Sequence, residues 1–162
     1  MSMQRLTRIY FLFAMGALGG AAELGAQTQT VTFAVNAINQ ISFSGSPSLT
    51  ITTAVAGSDP TSVIDATSTW SVTTNQTGAK ISASLASAMP AGLTLRVLLA
   101  APAGAASLGS TSLGTTSVDL VTGITKQKGS ALVATYDLDA TPAAGVVSSA
   151  TKVVTYTISG GT

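Results

Sequence analysis

Apolar and polar residues alternate with period two along most of the chain after residue 30, which predicts strands rather than helices. Val31, Phe33 and Val35 alternate with Thr32, Ala34 and Asn36. Ile41 and Phe43 resume the pattern after a bulge expected over residues 36–39, and Leu49 and Ile51 predict a short strand beyond Pro47. Trp70 and Val72 alternate with Ser71 and Thr73. Asn75-Gln76-Thr77-Gly78 then supplies turn chemistry, and Ile81, Ala83 and Leu85 follow. This is the clearest predicted hairpin. Pro90-Ala91-Gly92 is the next turn, because Pro presets one backbone angle and Gly accepts a positive one. Leu93, Leu95, Val97 and Leu99 share a face, and residues 101–110 read as a surface loop. Val118 and Leu120 mark another strand, as do Leu132, Ala134, Tyr136 and Leu138. A turn at residues 141–145 leads to Val154, Tyr156 and Ile158 near the C-terminus.

Eight or nine short strands with a turn signal about every ten residues predict an all-β, antiparallel β-sandwich. A barrel is the structural alternative. An outer-membrane barrel fits less well, because only 5% of residues are aromatic and the girdles such barrels use are missing. The 162 residues allow one domain with a real core. Composition supports the strands: Thr, which with Val and Ile favours them, is abundant, while the helix formers Glu, Lys and Arg are nearly absent and only 8% of residues are charged.

The N-terminus breaks the pattern. Arg5 and Arg8 precede an uncharged apolar run at residues 9–18, and small residues follow. This order is that of a secretory signal peptide, and the run is too short for a membrane-spanning helix. Cleavage is expected after Ala26, with Ala22 as the second choice because Leu24 is large for its position. The expected organisation is therefore a signal peptide over residues 1–26 and one β-sandwich domain over 27–162. The remainder carries Lys80, Arg96, Lys126, Lys128 and Lys152 against Asp59, Asp65, Asp119, Asp137 and Asp139, a net charge of zero. Little charge repulsion opposes self-association of such a chain, and no basic surface exists to hold nucleic acid.

Candidate chemistry is sparse. The chain has no His and no Cys, which removes imidazole and thiolate catalysis, the imidazole and thiolate metal ligands and all disulfides. Ser149 and Lys152 have the S-x-x-K spacing of serine acyl-enzymes, but that chemistry needs a helix and a strand is expected here. Residues 123–130 look faintly like a phosphate loop with the wrong spacing. Asp137 and Asp139 share one strand face and are expected to face solvent, with Ca²⁺ binding the alternative. Asp59 and Asp65 flank a loop without a calcium spacing, and nothing marks a cleft for a carboxylate-pair glycosidase. Trp70 is in register with Val72, so it is expected in the core rather than as a sugar-stacking platform. Tyr136 and Tyr156 read the same way. Asn75-Gln76-Thr77 is a formal glycosylation sequon that reads here as turn chemistry. No catalytic, cofactor-binding or metal-binding residue is assigned, and no cofactor is expected.

The segments QTVTFAVNAINQISFSG, TWSVTTNQTGAKISASL, MPAGLTL and KVVTYTIS resemble uncharacterised exported bacterial proteins that carry an Ig-like or pilin-like β-sandwich. The chain lacks the Cys pair of chaperone–usher pilins. The resemblance implies placement outside the cell, or on its surface, and a structural or adhesive role. The expected function is thus a non-enzymatic surface or extracellular protein that associates with itself, or with other surface proteins, through strand edges. The alternative is a carbohydrate- or small-ligand-binding module.

Overall fold

The computed structural model describes residues 25–161. The predicted signal peptide lies outside them, apart from Gly25 and Ala26. The described residues fall in two units, with residues 25–34 in the first and Val35 onward in the second.

The second unit holds nine strands: β1 (Asn39–Ser44), β2 (Val63–Thr74), β3 (Ala79–Leu85), β4 (Leu93–Leu99), β5 (Ala106–Ser107), β6 (Thr111–Ser112), β7 (Val118–Ile124), β8 (Gln127–Ala140) and β9 (Val154–Ser159). They form two antiparallel sheets, ordered β1-β2-β8-β4-β6 and β5-β7-β3-β9. The fold is an all-β sandwich. Its core lies between the sheets, where alternation delivers one side chain in two. Trp70, Val72, Leu95, Val97, Leu99, Ala134 and Tyr136 come from the first sheet; Ala79, Ile81, Ala83, Leu85, Leu120, Val121 and Ile124 come from the second. Leu120 and Val121 are neighbours and both buried, because the β3–β7 register slips between Ile81 and Ser82. A similar slip in β8 places Ala131 at φ 53°, unusual for a residue with a side chain.

From β2 onward, every connection crosses from one sheet to the other. The hairpin expected around Asn75–Gly78 is therefore not formed. β2 pairs with β1 and β8, while β3 pairs with β7 and β9. The alternation that suggested side-by-side pairing instead turns Trp70 and Val72 toward the opposite sheet, which carries Ile81 and Ala83. The link cannot close a hairpin because its polar groups are used elsewhere: the Gln76 carbonyl accepts the Lys126 N–H (2.9 Å), and the Gly78 N–H donates to Thr125 Oγ1 (3.0 Å).

Two other predicted strands are absent. Residues 25–38 form none, and Val31, Phe33 and Val35 are 73%, 88% and 78% exposed. Leu49 and Ile51 lie half-buried in a coil that makes only an isolated bridge, Ala54 to Pro60. Alternation makes a strand possible, but a neighbour must supply the ladder. The expected surface loop over 101–110 does contain one short strand, β5. The turn at 141–145 is one turn of 3-10 helix, Pro142–Ala144. It packs closely on the Pro90–Gly92 turn, where a Cβ on Gly92 (φ 79°) would stand 2.5 Å from the Ala144 nitrogen.

Candidate functional site

The four sheet edges are unequal. β5 and β6, at one end of each sheet, are two residues long. β1 and β9, at the other ends, are six residues long and contain neither a charge nor a Pro. Natural edges are commonly blunted by shortness, Lys or Pro, and only β5 and β6 are blunted here.

The register shows which backbone groups these edges offer. The Ala86 N–H donates to the Val153 carbonyl (3.0 Å), and β3 and β9 pair without a slip from Leu85/Val154 to Lys80/Ser159. In an antiparallel ladder, alternate residues face the partner. Thr155, Thr157 and Ser159 therefore bond to β3, while Val154, Tyr156 and Ile158 turn their N–H and C=O groups to the free edge. On β1, the Asn75 N–H donates to the Ile38 carbonyl (3.2 Å). By the same alternation, Ile41 and Phe43 turn their backbone groups away from β2.

Two of these side chains meet between the edges. Phe43 of β1 stacks on Tyr156 of β9 with ring centroids 3.8 Å apart, and lies 6.1 Å from Trp70. The Tyr136 and Tyr156 hydroxyls are 2.7 Å apart and tie β8 to β9 across the sandwich. Burial pushes both phenols above their ordinary range, so neither ionises near neutral pH. Trp70 is 1% exposed and donates its indole N–H to the Ala100 carbonyl (3.1 Å). It sits in the core, as its register predicted, and cannot serve as a sugar platform. Ile41, Phe43, Val154, Tyr156 and Ile158 stay only partly covered, which leaves an apolar row half-open along this side.

Asn75 supports the approach to β1. Its Nδ2 donates to the Asn36 carbonyl (2.7 Å), while Oδ1 accepts the Ile38 N–H (2.8 Å) and a Gln76 Nε2–H (2.6 Å). The amide ties residues 36–38 to the chain just beyond β2. The sequon residue thus acts as a latch, a role that only register reveals.

The other singled-out residues are placed as structure. Asp137 and Asp139 do not form an open carboxylate pair: the Arg96 guanidinium from neighbouring β4 bonds to Asp139 and lies 3.9 Å from Asp137. Asp65 caps a loop. It accepts the Thr67 hydroxyl (2.6 Å), the Thr67 N–H (2.8 Å) and the Ser48 N–H (2.9 Å), and those bonds, the hydroxyl's first, hold its carboxyl below the usual range. Lys152 donates to Ser87 Oγ (3.0 Å) and to the Ala88 carbonyl (2.6 Å), and makes no bond to Ser149. Residues 123–130 span the end of β7, the two-residue link Thr125–Lys126 and the start of β8, with Lys126 at φ 44°. A cleft of about 780 Å³ opens between the coil at 47–54 and the segment at 142–152, lined by hydroxyls such as Thr50 and Ser149 and by Leu49, Met89 and Leu138. Among the described residues, no helix is long and apolar enough to cross a membrane.

No protein-family model, curated protein or solved structure matches the chain.

Proposed function

We propose that this is an exported, non-enzymatic structural or adhesive protein of a bacterial surface, which associates with copies of itself through its strand edges. The observation that carries this reading is the pair of long, uncharged, unblunted edges, β1 and β9, beside a half-open apolar row. A protein kept monomeric would be expected to block such edges. The basic–apolar–small order of residues 1–26 supports export, and the zero net charge of the remainder removes a barrier to packing copies together. Sedimentation velocity over a wide concentration range, together with fractionation of the producing cells, tests the proposal. Concentration-dependent assemblies and recovery with surface material are expected. A strictly monomeric protein retained in the cytoplasm would refute it.

The cleft beside residues 47–54 favours a second reading, an extracellular module for a neutral saccharide or another small ligand. Its lining mixes hydroxyls with apolar side chains and lacks an aromatic ring, so binding would rest on hydrogen bonds and shape rather than stacking. Thermal-shift screening against neutral glycans tests this, and a flat response across the set excludes it.

A further inference from the structure

We infer that the partner of the β9 edge is the segment over residues 30–35 of a second copy, docked as an added antiparallel strand with Phe33 opposite Tyr156. The inference rests on the self-association proposed above and specifies its contact.

Four observations lead to it. Five aromatic residues follow residue 26, and Phe43, Trp70, Tyr136 and Tyr156 pack together at the side of the sandwich where the free edges lie. Phe33, the fifth, is 88% exposed, and Val31 and Val35, two residues to either side, are 73% and 78% exposed. Three bulky apolar groups at period two are the pattern of a strand that lacks its neighbour.

The parity also matches. β9 offers the backbone groups of Val154, Tyr156 and Ile158, whose side chains point inward. An antiparallel strand places directly opposite residues on the same face. Val31 opposite Ile158, Phe33 opposite Tyr156 and Val35 opposite Val154 satisfies the hydrogen bonds and aims all three apolar groups at the half-covered row of Ile41, Phe43 and Tyr156. A one-residue slip would turn them to solvent.

Charge is compatible on both sides. No charged residue occurs from Gly25 to Ser58 or from Val153 onward, so nothing repels the segment from the edge. The segment and the edge are also different surfaces of one chain. Their contact is therefore heterologous, and it propagates into open chains of copies rather than closing as a two-fold dimer.

The absence of native Cys makes the test direct. In this register Thr32 faces Thr157 in a non-hydrogen-bonded pair, where side chains approach most closely, and both residues are exposed. Thr32→Cys and Thr157→Cys are made separately, mixed and oxidised with diamide. A mixed disulfide dimer is expected at about ten times the yield from Thr32→Cys mixed with Ser112→Cys, which lies on the blunted β6 edge, as befits a specific rather than random contact. Phe33→Ser introduced into the Thr32→Cys chain should abolish that excess, while Trp70 emission stays that of the folded protein. Equal yields from the two mixtures overturn the inference. If the chain still assembles in sedimentation, the proposed function survives with another contact. If it is also monomeric, both fall. A Thr32→Cys/Thr157→Cys double variant that closes within one chain likewise overturns the inference, because the segment would then fold back on its own edge.

Discussion

Trp70 is the largest of the fully buried side chains and carries a hydrogen bond as well as packing. Trp70→Ala should cost about 3–5 kcal/mol, because a large apolar group leaves a cavity behind. Urea denaturation of the variant checks this, and wild-type Trp70 should emit at a blue-shifted, buried wavelength. Gly92 is constrained from two sides, by its positive φ and by the Ala144 backbone. Gly92→Ala should destabilise by about 1–3 kcal/mol through αL strain plus displacement of the 142–144 turn, read as a fall in the denaturation midpoint.

The ionisable residues predict two pH effects of opposite direction. Asp65 has a lowered pKa, so its contribution is present above the ordinary Asp range and lost as the pH falls through the folded-state value. The stability gap between wild type and Asp65→Ala should therefore narrow in acid. Tyr136 and Tyr156 have raised pKa values, so their contribution is intact below the ordinary Tyr pKa of about 10 and is lost as pH rises beyond it. Stability should fall in that alkaline range, and the fall should be shallower in Tyr156→Phe. Thermal melts across pH measure both.

At the scale of elements, β8 organises the larger sheet, pairing with β2 on one side and β4 on the other. Arg96 of β4 faces Asp137 across this ladder and also bonds to Asp139, so one cation serves two carboxylates on the outer face. All three groups are partly exposed, which keeps each pair worth about 0.2–1 kcal/mol. Arg96→Ala should nevertheless cost more than Asp137→Asn, because it leaves two like charges on one strand face, whereas the Asn variant removes one of them. Comparison of denaturation midpoints at low and high salt checks this, and added salt should shrink the difference.

For the whole molecule, the crossing of every connection from β2 onward means that few strand pairs are local. β1 meets β2 across a long coil, and β2 meets β8 only after most of the chain has been made. Loop closure must then precede much of the stabilising contact, so folding should fall on the slow, millisecond-to-second side of domains this size. Stopped-flow refolding monitored by Trp70 emission measures it. The four core aromatics connect the two sheets at the side where the long edges lie, so the apolar row that closes the sandwich also borders the proposed docking edge.

The alternation of Trp70 with Val72, of Leu95 with Val97 and Leu99, and of Ala134 with Tyr136 showed in the sequence which faces of β2, β4 and β8 turn inward. The period-two geometry of a strand is local, and an apolar side chain favours burial whichever element comes to cover it. The absence of His and Cys likewise excluded imidazole and thiolate chemistry without reference to the fold. Pairing was not legible. Trp70–Thr74 and Ala79–Leu85 carry the same pattern whether they lie side by side or face one another across a core, and only the bonds from Lys126 to the Gln76 carbonyl and from Asn75 to residues 36–38 decide for the crossing. The pairing of Arg96 with Asp137 and Asp139 was hidden for the same reason, since it depends on which strand lies beside β8. The segment at 30–35 marks the boundary most clearly. Its residues have the pattern of a strand, but a strand exists only where another backbone completes its hydrogen bonds, and whether one does is a property of tertiary and quaternary structure.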